Sequence, residues 1–251
     1  MVQVSKDSLI LDQLFQIIKK NNLKQSIYYT CTVFHRKIQL NKENFLIENN
    51  NFKLEDLESD YYILALLALS CKANDVEMPS SILHSVMEVS KVKADPSKNK
   101  PDSESKSDLS ETKIALDFLY HQKKVTSIES YLPLLFNYEL HTPCPFIRVL
   151  GLLIILNERG ILIQENVKKS GLPSLMTDID APQVLVDILF QQSVNNLLII
   201  LKDSNILNYK INELAISAIP LDVDLFDGLK MWDAVDRKQI QMIRDRNLSV
   251  Q

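Results

Sequence analysis

Glycine is scarce in this chain: 4 of 251 residues, beside 9 prolines. A β-sandwich or barrel needs turn residues at close intervals and alternation of polar with β-branched or aromatic side chains along its strands. Neither pattern runs over any long window, so helices should dominate. Cysteine is scarce as well and odd in number. Cys31, Cys71 and Cys144 are widely separated, each in or beside apolar sequence, which reads as reduced, packed thiols rather than a disulfide framework. No excess of positive charge exists: 28 Lys and Arg stand against 32 Asp and Glu, a net charge of −4. Gripping a phosphate backbone calls for a basic face, so direct nucleic-acid binding is not expected. Long hydrophobic runs are missing too. The longest unbroken one, VLGLLIIL at 149–156, falls well short of the ~18 residues of a membrane span. The opening MVQVSKDSLILDQLF lacks a basic cluster, an apolar core and a small-residue cleavage site in succession. The expectation is a soluble intracellular chain with no membrane partner, in which the sequon Asn247-Leu248-Ser249 is a chance occurrence.

The chemical inventory is equally thin. There is no G-x-x-x-x-G-K-[ST] loop to cradle phosphates, no G-x-G-x-x-G, no H-E-x-x-H, no C-x-x-C and no G-x-S-x-G elbow. His35, His84, His121 and His141 lie on different predicted elements without ligand spacing, and each reads as a surface or helix-flanking imidazole rather than a metal ligand. The string NDVE at 74–77 reads as a solvated turn after a helix rather than an acid/base pair. No cofactor, no metal and no catalytic residue are expected, and the weight moves from enzyme to binding protein.

What is present is helical periodicity. With 46% hydrophobic and 24% charged residues, the chain is long enough for one large or two small cores. Leu11, Leu14, Phe15 and Ile18 predict a helix over 7–20; Ile27, Cys31, Phe34 and Ile38 predict a second over 24–40. The Asn-rich NKENFLIENNNFKLED reads as a loop. Leu57, Tyr61, Leu64, Ala68 and Cys71 mark a third helix, apolar also at Ile63, Leu66 and Leu67, hence buried all round. Pro79 opens a fourth, carrying Ile82, Val86 and Val89. Residues 91–113, KVKADPSKNKPDSESKSDLSETK, hold almost no apolar side chains and cannot offset the entropy of being ordered; they are predicted to be a disordered insertion. Helical pattern resumes at Ile114 and again at Ile128, Leu132 and Leu135, until Pro143 and Pro145 break it. The domain boundary is set there, giving 1–143 and 144–251. The second part predicts helices at 146–157, at 182–202, around 211–219 and through Leu225, Leu229 and Trp232.

Two stretches carry a resemblance. YYILALLALSCKANDVEMPSSILHSVMEVS, residues 61–90, resembles the third and fourth helices of a cyclin box, in which a buried helix ends on a small residue, a lysine and an acidic turn before a Pro-started helix. SIESYLPLLFNYELHTPCPFIRVL, residues 127–150, is similar to the fifth helix and exit of that box, with a Glu and an aromatic-acidic-Leu step ahead of a Pro-rich link. KQSIYYTCTVFHRKIQL, with its basic pair, and PSSILH are more similar to the transcriptional branch of the cyclin family. The resemblance implies an all-α protein of two tandem cyclin-like helical bundles, the first carrying the insertion. It further implies a nuclear regulatory subunit that binds and activates a cyclin-dependent protein kinase catalytic subunit in transcription control, with room for a third subunit.

By the same resemblance, Lys72 and Glu129 are the polar contacts to the kinase's mobile helix, and Leu69, Ala73, Pro133, Tyr138 and Leu140 fall on the apolar contact surface. No arginine stands in the first helix where the family's substrate-docking patch has one, so no such patch is implied. Spacing alone leaves plainer readings open. Lys72 is then a cation at a helix C-terminus with its stem along apolar surface, and Glu129 an acid favouring the start of its helix. Pro133 falls within a helical pattern, where a proline costs about 3 kcal/mol or more and breaks or kinks the helix. Two other roles use the same pattern: a general-transcription-factor-like adaptor, which wants a basic face that the composition does not supply, and a helical scaffold that touches no kinase.

Overall fold

The computed structural model describes residues 6–48, 59–82, 107–162, 181–226 and 236–248. Every long element among them is an α-helix, and no strand occurs among the described residues. The chain divides into two compact units, Met1–Thr142 and Pro143–Gln251.

The first unit is built from α1 (Lys6–Lys20), α2 (Gln25–Glu48), α3 (Asp60–Ala73) and α4 (Ser107–Tyr131), followed by a 3-10 turn, Leu132–Phe136. Helix α3 is its centre. Ser59 caps it, its hydroxyl accepting from the Tyr62 N–H, and every residue from Tyr62 to Cys71 is buried. A helix without a polar face needs neighbours on all sides, and α3 has them in α1, α2 and α4. Helix α2 supplies Ile27, Phe34 and Ile38 to the same core, and the Phe34 ring stacks on Phe136 of the 3-10 turn at 4.7 Å. Asp7 ties α1 to α2 through Arg36 at 3.2 Å.

Four sequence expectations change here. Helix α2 runs on to Glu48 through sequence read as loop, because Lys, Glu and Leu between the asparagines are good helix formers and outweigh the modest Asn penalty. Helix α4 begins at Ser107, so 107–113 are not part of a disordered insertion. Residues 91–106 lie outside the described residues, as does the fourth predicted helix beyond Ile82. The two patterns at Ile114 and Ile128 belong to one continuous helix. His35 is neither a surface nor a flanking imidazole but fully buried, its Nδ1 2.9 Å from the Tyr62 hydroxyl.

Cys31 and Cys71 are both free and buried, on α2 and α3 respectively. Burial pushes the Cys31 thiol up to about 12, against a smaller opposing effect of the Ser70 hydroxyl, and the Cys71 thiol up to about 11. The thiolate is the reacting form, so at neutral pH both are inert while the chain is folded. Half-exposed Cys144 is expected to take up iodoacetamide first, with the other two labelled only after denaturant is added. Mass spectrometry of the labelled peptides checks this, and early labelling of Cys31 would contradict it.

The second unit comprises α5 (Pro145–Glu158), α6 (Ala181–Ile200), α7 (Ile211–Ala218) and α8 (Arg237–Asn247). Val149, Leu152, Leu153 and Leu156 of α5 meet Leu185, Val186 and Leu189 of α6, Ala215 and Ile216 of α7 and Ile240 of α8 in one core. Over Gln183–Ile200, α6 is long and apolar enough to cross a membrane by length and composition, although Asp187 and the Gln and Asn residues leave it no long unbroken apolar run. Its Leu185, Val186 and Leu189 belong to the core just described. The final predicted helix is corrected only at its beginning. Around Leu225 the chain makes a short 3-10 turn, Val223–Phe226, Leu229 and Trp232 lie outside the described residues, and the last described helix is α8, which Asp236 caps by accepting from the N–H groups of Lys238 and Gln239.

Side chains from two neighbours close the C-terminal end of α7. The Arg244 guanidinium of α8 donates from Nη2 to the Ile216 and Ile219 carbonyls at 2.9 and 2.8 Å and from Nε to that of Ser217 at 3.3 Å. Asn196 of α6 donates to the Ala218 carbonyl at 2.9 Å. At the other end, the buried Glu213 carboxylate accepts from the Lys210 N–H at 2.9 Å.

Asp203, after α6, is a buried carboxylate. Burial alone would raise its pKa, but donation from the Asn205 backbone and from Tyr209, Asn247 and the Asn205 amide outweighs it, so the value is lowered. A carboxylate with a lowered folded-state pKa stabilises the protein fully above its unfolded pKa and loses that contribution as pH falls through the folded value. Asp203→Asn is therefore expected to lower stability at pH 7 by about 2 kcal/mol, the worth of a charged hydrogen-bond set losing its charge. Denaturant titrations of the two proteins should converge as pH drops below about 4; a gap that persists in acid would refute the assignment.

Candidate protein-interaction site

Lys72 lies in the last turn of α3, where the helix emerges from the core. The helix stops in a Schellman arrangement: the Val76 N–H reaches the Cys71 carbonyl at 2.9 Å and the Asp75 N–H the Lys72 carbonyl at 3.1 Å, with Asp75 in the left-handed region at φ 52°. Backbone N–H groups thus satisfy the Cys71 and Lys72 carbonyls, and the ammonium is not required as their cap. Its Nζ instead meets Glu129 Oε1 at 2.5 Å, with the lysine side chain 69% exposed and the glutamate 12%.

Glu129 does not begin a helix. It sits near the C-terminal end of α4, where a carboxylate opposes the helix dipole, so helix-start preference does not explain it. Buried Val125, Ile128 and Leu132 fix that stretch of α4 and the turn after it, and α4 packs on α3. The fold therefore brings together a cation and an anion 57 positions apart in sequence.

Pro133 does not kink α4. The α-helix ends at Tyr131, and Pro133 occupies the first turn of the 3-10 segment, where a missing N–H costs nothing. That segment also stops in the left-handed region. Asn137 N–H donates to the Leu134 carbonyl at 3.2 Å and Tyr138 N–H to that of Pro133 at 2.9 Å, with φ 51° at Asn137 and 61° at Tyr138. For a bulky side chain such as Tyr138 this backbone is a real outlier, of the kind that costs about 1–3 kcal/mol and gathers at functional sites. Tyr138 is 69% exposed.

A small polar chain links the ends of these elements. Asn74, the C-cap of α3, donates its side-chain amide to the Thr30 hydroxyl of α2 at 3.0 Å and to the Ser70 carbonyl at 2.8 Å. Thr30 donates to the Ser26 carbonyl at 3.0 Å, which leaves Thr142 as donor in their 3.0 Å hydroxyl contact. Lys72 stands two residues before Asn74 and Leu140 two before Thr142, so the stop of α3 and the exit of the 3-10 turn share one anchor.

Of the seven residues singled out in the sequence, Lys72 and Glu129 touch, Tyr138 is exposed, and Ala73, Pro133 and Leu140 are half-buried. Leu69 differs: it is only 4% exposed, a core residue of a helix buried all round, with almost no surface to offer a partner. Two features escaped sequence reading. Leu134 presents an exposed apolar side chain on the 3-10 turn, hidden in the sequence by a helical period that does not apply there, and the Thr30–Asn74–Thr142 chain has no spacing signature at all. Among the described residues, no group of three or more His, Cys, Asp or Glu is placed to hold a metal ion. No protein-family model matches the chain, and no curated protein matches it.

Proposed function

We propose that the chain is a cyclin-like regulatory subunit, made of tandem cyclin-like bundles, that binds and activates a protein kinase catalytic subunit in transcription control in the nucleus. The observation that carries this reading is the Lys72–Glu129 pair, together with the exposed apolar side chains of Leu134 and Tyr138 in and after the turn that follows α4. A lysine ammonium has three donors and a carboxylate only acceptor sites, so the pair can hold a helical segment that offers both carbonyl and N–H groups, while the apolar side chains supply contact area. Charges of this kind give orientation more than bulk affinity. The subunit carries out no phosphoryl transfer. It favours the active kinase conformation, and the size of the effect equals its preference for that conformation over the inactive one.

The test is recovery of the tagged full chain from its native organism, with identification of the bound proteins, beside the double variant Lys72→Ala/Glu129→Ala. A kinase catalytic subunit is expected with the parent protein and at least tenfold less of it with the variant. Recovery of no kinase, or of equal amounts with both, leaves a helical scaffold as the better description.

A further inference from the structure

Helix α5 has one face in the core of the second unit and another that no described residue of that unit buries. At 100° per residue, Ile147, Leu150, Gly151, Ile154 and Glu158 form a single outward stripe. Ile147 is 71% exposed, Leu150 and Ile154 are exposed as well, and a Cβ added to Gly151 would meet nothing within 4 Å. Three exposed branched side chains around a glycine are unusual on a surface helix, because they cost solvation and the glycine weakens the helix.

We propose that this stripe is self-complementary and that two copies of the chain associate through it, α5 against α5, antiparallel and two-fold symmetric. An isologous contact requires one patch to fit itself. With the axis between residues 150 and 151, Ile147 faces the second copy's Ile154, and Leu150 faces its Gly151, where the space left by the missing side chain accepts the leucine. Charge fits in the same register. The α5 N-terminus has no side-chain cap at Cys144, Pro145 in its first turn and no acidic residue there, so it presents the positive end of a helix dipole. Exposed Glu158 projects toward the N-terminus of its own helix, which in an antiparallel pair carries its carboxylate to that positive end of the second copy. A single helix pair buries less than the about 800 Å² per partner of a standard interface, so the association is weak and dependent on concentration. It involves the second unit only and stands apart from the kinase reading.

Sedimentation velocity on the full chain, from low micromolar to several hundred micromolar, is expected to reveal a monomer–dimer equilibrium. Gly151→Leu fills the hole and should weaken dimerisation at least tenfold, while the thermal midpoint of the monomer stays equal or rises, since glycine is a poor helix residue. Glu158→Lys should weaken it also, and more so at low salt. In a Cys144→Ser background, Ile147→Cys with Ile154→Cys should give a covalent dimer under mild oxidation. Neither single cysteine should do so, because its symmetry mate lies seven residues away, about 10 Å along the helix, beyond disulfide reach. A monomer at every concentration would mean that some other occupant covers the face, and a dimer indifferent to both Gly151→Leu and Glu158→Lys would put the contact elsewhere. Either result overturns the proposal.

Discussion

Exchanging the two charges, in the double variant Lys72→Glu/Glu129→Lys, should leave the fold intact and, on the proposed kinase-subunit reading, abolish binding of the kinase. The argument separates what the pair does within the chain from what it does for a partner. Within the chain, the Lys72 side chain is 69% exposed although that of Glu129 is only 12% exposed, and an ion pair with one end in water contributes about 1 kcal/mol. The exchange rebuilds that pair with its ends reversed, so thermal unfolding should move by no more than a few degrees. A partner helix meets a cation where it needs an acceptor, and an acceptor where it needs a cation. Reversal of both contacts in a desolvated patch is expected to lower affinity at least a hundredfold, about 2.7 kcal/mol. Calorimetric titration of the recovered kinase into each protein measures this. Full binding by the exchanged variant would show the pair to be internal bracing and nothing more.

Arg244→Met should destabilise the second unit by about 3 kcal/mol. Methionine keeps the length and apolar stem of arginine but removes every donor, which deprives the Ile216, Ser217 and Ile219 carbonyls of their side-chain partner. The Ser217 carbonyl has no other partner among the bonds described above, and a buried polar group deprived of its partner costs about 1–3 kcal/mol. Loss of a cation from a helix C-terminus adds to it. Arg244→Lys should recover only part of the loss, since one ammonium cannot match a planar fork serving three carbonyls. Hydrogen exchange over residues 206–219 reads the effect locally, without assuming that the two units unfold together. Unchanged protection there in the Met variant would mean that water serves those carbonyls equally well.

Legibility in the sequence followed the density of apolar side chains. Helix α3 was readable because Tyr62 to Cys71 leave no polar face, and α1 because Leu11, Leu14 and Ile18 repeat at helical spacing and are all buried. Helix α8 was not, because only Ile240 and Ile243 of its eleven residues are buried, too few to set a period. Its start was nonetheless written in Asp236 ahead of a helix-favouring run. The candidate site divides along the same line. Lys72 could be placed at a helix end from local sequence, whereas Glu129 was assigned to the wrong end of its helix, because α4 extends back to Ser107 through sequence too polar to look ordered. Leu69 lay beyond pattern reading altogether. Whether a leucine on an all-apolar helix faces a partner or the interior is decided by what packs on each side, and for Leu69 the neighbours are its own chain.

Among the described residues, the helix stops at Asn22, Asp75 and Asn137 are left-handed without glycine, and Gly160 alone uses the customary residue. Such corners act on the denatured chain as well as the native one. An Asn or Asp reaches this conformation more readily than other side-chain-bearing residues yet wanders over less of φ/ψ space than glycine. Replacing Asn137 by glycine would ease the corner while enlarging the disorder to be overcome on folding, two effects of similar size and opposite sign. A chain with so few glycines thus begins its folding from a narrower ensemble, with its corners already leaning toward the turns they will make.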